Sequence, residues 1–64
     1  MSALLGHSDA ARCMAKAFDI EADAMTRADP SASRTLFAIS RAYDRAAEIM
    51  LAENTRQLNE GREK

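Results

Sequence analysis

One proline divides this chain. Pro30, in Ala28-Asp29-Pro30-Ser31, is the only proline among the 64 residues, and a proline inside a helix both removes a hydrogen bond and clashes with the preceding turn. On either side of it the chain is rich in helix formers, with 14 alanines and no valine or tryptophan, which argues against strands. Proline is well tolerated at the first helical position, so Asp29 becomes the N-cap of a second helix and Asp29-Pro30 the corner. A cap at Ser31 or Ser33 is the alternative, with a longer loop. The fold class is therefore all-α. The first helix runs over about 9–28, with Ser8 as its N-cap and Asp9 near the positive end of the helix dipole. The second runs over about 30–58. Residues 1–7 form an N-terminal tail broken from the helix at Gly6 and His7, residues 59–64 a frayed C-terminal tail, and 8–58 a single αα-hairpin domain. So short a corner makes the helices antiparallel.

Periodicity supports this division. Asp9, Arg12, Lys16, Asp19 and Asp23 recur at steps of three and four and form one polar stripe. In the second helix the same spacing gives Ala32, Leu36, Ile39, Tyr43, Ala46 and Met50. Leu36, Tyr43 and Met50 read as the spine of that face. The small residues Ala32 and Ala46 flank it on one side, and Ser40 and Ala47 on the other.

The first helix carries two apolar seams. Met14, Phe18 and Met25 line one; Ala10, Cys13, Ala17, Ile20 and Ala24 line the other. Together they exceed the roughly 100° stripe of an ordinary surface helix, and one partner helix covers only one of them. A single core seldom holds so short a chain without disulfides, metal or oligomerisation. A lone cysteine excludes a disulfide framework. The expectation is a homodimer of hairpins forming a four-helix bundle, its interface drawn from Met14, Ala17, Phe18, Ile20 and Met25 of the first helix and Leu36, Ile39, Tyr43, Ala46 and Met50 of the second. The competing picture is a monomeric hairpin, part-folded alone, that docks on a larger partner.

Little in the sequence carries chemistry. Glu21 falls between the seams of the first helix, where a carboxylate is costly to bury unless paired. It is a candidate buried polar residue, read as the salt-bridge partner of an arginine in preference to a metal ligand. Carboxylate-bridged bundles supply Glu-x-x-His pairs. The single histidine, His7, falls outside the expected helices, so no metal or other cofactor is expected. Cys13 reads as a small buried hydrophobe in preference to a redox thiol, and with no base to pair with it an enzyme is not expected. Asn54 is the second candidate buried polar residue, placed to fix register or oligomeric state. The plainer reading of Asn54 and Gln57 is a helix end projecting past the bundle into water.

Arg34, Arg41, Arg45 and Arg56 form a stripe along the second helix. A nucleic-acid face is one reading, but Asp44 and Glu48 lie within reach of Arg41 and Arg45. The net charge of −1 also lacks the basic excess that phosphate binding favours. No stretch approaches the roughly 18 apolar residues of a membrane span, and the ends show no leader or lipidation signal, so a cytoplasmic protein is expected. The function expected is a homo-oligomeric adaptor or regulatory module that binds an unidentified protein without catalysis, with Phe37, Leu51, Arg41 and Arg45 as the candidate partner surface. Two alternatives are a nucleic-acid regulator using the arginine stripe and a purely structural self-assembly module.

Overall fold

The computed structural model describes residues 3–62, with side chains as far as Gly61. Among these, α1 spans Ala3–Met25 and α2 spans Pro30–Arg62, and the two pack against each other along their length. The result is a rod, 56 × 15 × 10 Å between its outermost Cα positions. Positions 1–2 and 63–64 of the expected tails lie outside the described residues.

The corner is built by Asp29. Its side-chain Oδ1 accepts the Ala32 N–H at 3.1 Å, satisfying one of the orphan donors of the first turn, while its carbonyl accepts the Ser33 N–H at 2.9 Å. Pro30 follows as the first residue of α2. The Asp29 N–H in turn donates to the Met25 carbonyl at 2.9 Å. The cap is therefore Asp29, and the corner takes the shorter of its two forms. α1 ends at Met25, three residues earlier than its expected limit at Ala28. Two hydroxyls converge there on the Ala22 carbonyl, Thr26 Oγ1 at 3.2 Å and Ser33 Oγ at 2.7 Å. A hydroxyl side chain bonded to the preceding turn competes with the helical backbone and favours an end.

The outer ends differ more. α1 begins at Ala3 and not at Asp9, so Gly6 and His7 lie within it. One exposed glycine costs a helix only about 1 kcal/mol relative to alanine, too little to break it where Ser8, two residues on, is tied to α2. Ser8 is no cap: it is 1% exposed and its hydroxyl donates across to the Ala47 carbonyl at 3.3 Å. Likewise α2 continues through Gly61 to Arg62, past the expected limit at Leu58.

The seam between the helices is made of small residues. On α1, Ser8, Ala15 and Ala22 recur every seven residues; on α2, Ser33, Ser40, Ala47 and Asn54 do the same, and all seven are buried. Three hydroxyls cross the seam: Ser8 to the Ala47 carbonyl, Ser40 to the Ala15 carbonyl at 2.7 Å, and Ser33 to the Ala22 carbonyl. Stepping up α1 by seven steps down α2 by seven, so the helices hold one antiparallel register throughout. A carbonyl oxygen has two lone pairs, so the Ala15 and Ala47 carbonyls, inside their helices, each accept a serine proton beside the helical N–H, while at Ala22, where α1 ends, the Thr26 N–H turns to the Asp23 carbonyl. Short side chains let the two backbones approach closely enough for that. The expected spine is thereby displaced. Ser40 and Ala47, read from sequence as flanks, are the centre of the contact. Leu36, Tyr43 and Met50 sit beside it, half-buried.

Candidate functional site

Because the seam lies along one line of each helix, the flanks of both helices combine into two faces. On one face, the Phe18 and Tyr43 rings stack with centroids 5.7 Å apart and planes 8° from parallel. This face gathers Met14, Ala17, Phe18 and Met25 from α1 with Leu36, Ile39, Tyr43, Ala46 and Met50 from α2, since residues three, four and seven apart share a side. Nine of the ten residues expected at an oligomer interface therefore lie together. Most are half-buried, and Met14 is 42% exposed. The tenth, Ile20, lies with Cys13 on the side of α1 that faces away from α2. It is 60% exposed, and it does not join the others. The apolar face runs on through Ala42 and Ile49, the latter 59% exposed.

The opposite face is charged. There Arg12, Lys16 and Asp19 of α1 and Phe37, Arg41 and Asp44 of α2 line an open cleft of about 350 Å³ floored by Ala15 and Ser40. Phe37 and Arg41, both expected at a partner surface, meet in this cleft. Leu51, half-buried, lies two turns beyond Asp44 in line with it. Arg45 points away on the outer side of α2 and is not part of the surface. The cleft groups three cations with two carboxylates. Sequence reasoning missed this grouping. The steps of seven through Ser33, Ser40 and Ala47 were its signal, since a seam placed there throws Phe37 and Asp44 to one side and Tyr43 to the other.

Burial corrects Glu21 and Cys13 and agrees with the expectation for Asn54. Glu21 is exposed on the rim of the apolar face. It forms no ion pair, because α2 presents Leu36 and alanines there and no arginine. Cys13 is exposed and free, not buried, since its position points away from the seam. Asn54 is buried at 6% exposure. It continues the line of Ser33, Ser40 and Ala47, and its Oδ1 has no hydrogen-bond partner among the described residues.

Of the arginine stripe only Arg41 lines the cleft, and Arg56, towards the end of α2, is held by carboxylates of its own helix. Its Nε donates to Glu53 Oε2 at 2.9 Å, and its two terminal nitrogens reach Glu53 Oε1 and Glu60 Oε1. Hydrogen bonding from Arg56 holds the Glu53 carboxyl below its usual pKa and raises the guanidinium above its own. Among the described residues these are the ion pairs present. The pairing expected of Asp44 and Glu48 with Arg41 and Arg45 is not formed.

Among the described residues, no three His, Cys, Asp or Glu side chains gather in a way that could hold a metal ion. Nor is any helix long and apolar enough to cross a membrane. Compared with known proteins, the chain matches no family model, no curated protein and no solved structure. Fold and surface define its class: a two-helix antiparallel hairpin with a small-residue seam, one apolar face and one charged face.

Proposed function

We propose that this chain is a self-associating helical hairpin that works by surface contact with protein, without catalysis, and that two copies close a four-helix bundle through their apolar faces. The observation that carries this reading is where the bulky residues sit. Among the described residues the buried apolar ones are four alanines, Ala11, Ala15, Ala22 and Ala47, while the larger side chains lie beside the seam, half-buried or exposed.

Area supports the same reading. The chain exposes 5043 Å², against about 4000 Å² for a compact monomer of its 7.0 kDa mass. The excess, about 1000 Å², is of the order of the ~800 Å² that each partner contributes to a standard interface. Exposed apolar patches of this continuity mark interaction sites. The charged cleft on the opposite face stays open in such a dimer and is the surface offered to a further protein. The free, exposed thiol of Cys13 supports a reducing compartment such as the cytoplasm as its location.

Sedimentation equilibrium of the full chain tests the reading. Twice the chain mass at micromolar concentration is expected, with helicity falling on dilution. A chain that remains a monomer while retaining full helicity refutes it.

A further inference from the structure

We propose that the two copies meet across a twofold axis perpendicular to the helices, so that α1 lies antiparallel on α1 of the second copy, with His7 of each opposite Glu21 of the other. This rests on the self-association reading and specifies its geometry. Two stacked hairpins can obey twofold symmetry in two ways. An axis perpendicular to the helices lays α1 on α1 and α2 on α2. An axis parallel to them lays α1 on α2.

The polar residues choose between these. On the apolar face α1 carries two ionisable groups, His7 and Glu21, both exposed, each seven residues from Met14. Met14 is the midpoint of α1, which spans Ala3–Met25. A perpendicular axis passing through Met14 brings each His7 against a Glu21, twice per dimer. The parallel axis sets the same groups against Ala46 and Ala32 of α2, and burying a carboxylate against alanine without a partner is costly.

Side-chain size points the same way. About the Met14 axis, Phe18 of one copy meets Ala10 of the other, four residues to either side. The seam places Met14 level with Arg41, because Ser40 bonds to Ala15. The same axis therefore brings Leu36 opposite Ala46 and Met50 opposite Ala32. Phe18, Leu36 and Met50 then each face an alanine, an arrangement that lets layers interdigitate without voids, while Tyr43 meets Ile39 and Met14 meets its own copy on the axis.

The test measures the dimer dissociation constant of the full chain by sedimentation at low salt. His7→Glu and Glu21→Lys are each expected to weaken association about tenfold. The double variant, which restores opposite charges across the axis, is expected to recover most of that loss. A second measurement does not depend on charge. In a Cys13→Ser background, Met14→Cys places a thiol on the axis, within disulfide reach of its copy. It is expected to form a covalent dimer on mild oxidation, whereas Ala24→Cys, ten residues off the axis, is not. A dimer in which the double variant shows no recovery and Met14→Cys does not cross-link overturns this geometry and leaves self-association standing. A wild-type chain that is monomeric overturns both.

Discussion

The sharpest test of the seam is the sign of one substitution, Ser40→Leu. Ser40 is 5% exposed and faces Ala15, itself 2% exposed, with its hydroxyl 2.7 Å from the Ala15 carbonyl. That contact requires the backbones to be close, and a leucine adds a branched side chain where no space exists. Overpacking of this kind costs about 1–3 kcal/mol. If instead the helices met through bulky residues with a loose gap at position 40, the leucine would fill it and stabilise the fold by about 1.5–3 kcal/mol through apolar burial. The two pictures thus differ in sign.

Ser40→Ala is the control. It removes one hydrogen bond, worth about 1 kcal/mol net, and gains roughly 0.5 kcal/mol of helix propensity. The Ala15 carbonyl keeps its helical N–H and is not orphaned, so the control should shift stability by less than about 1 kcal/mol. Both variants and the wild type are compared by urea unfolding, followed by circular dichroism at one fixed protein concentration because association contributes to apparent stability. A small hairpin whose whole stability is about 3–5 kcal/mol loses a large fraction of it in Ser40→Leu. A leucine variant as stable as wild type, or more so, would show that the small-residue seam does not set the helix separation.

Two further outcomes follow from polar groups. Asn54 buries an Oδ1 with no partner among the described residues, and an unsatisfied buried acceptor costs about 1–3 kcal/mol. Asn54→Leu should therefore raise the thermal midpoint while broadening the range of oligomers seen by sedimentation; a lowered midpoint with unchanged oligomer size sinks that account. Glu53 has a carboxyl pKa lowered chiefly by its hydrogen bond from Arg56. A depressed folded-state pKa gives stability that is present above the unfolded value and lost as pH falls through the folded one. The last turns of α2 should then loosen only below the ordinary carboxylate range, seen as faster exchange of amides 56–60, and Glu53→Gln should abolish that pH dependence.

Much of the architecture was legible because a few residues leave little choice. Pro30 behind Asp29 fixed the corner, and of the ten residues that apolar spacing picked out, nine share one face. The outer helix limits were not legible. Gly6 and Gly61 look like breaks in sequence, yet each costs only what one exposed glycine costs. Ser8 shows how a local signal misleads: serine before aspartate reads as a cap, and only the seam reveals that its hydroxyl serves the other helix. Ser40 and Ala47 were misplaced for a related reason. Hydrophobicity picks out Leu36, Tyr43 and Met50 as the centre of a contact, but it is size and not hydrophobicity that decides which residues lie where two backbones come closest. The same rule explains Cys13 and Ile20, apolar by type and exposed because the seam turns them outward.

That rule also links the fold to association. A seam of serine and alanine gives one fixed register and close backbones, but it buries little apolar surface: four methyl-sized side chains, at about 0.8 kcal/mol each, supply only about 3 kcal/mol. Ordering a residue costs about 1–2 kcal/mol of backbone entropy, and helical hydrogen bonds recover only part of that net. The larger side chains must therefore supply the remainder, and the seam that excludes them from the hairpin interior places Phe18, Leu36, Tyr43 and Met50 together on one side. Burial of that side needs a second surface. On the proposed dimer, the small residues that make the hairpin specific also leave its larger side chains for the second copy to cover, so folding and association are expected to be a single concentration-dependent equilibrium.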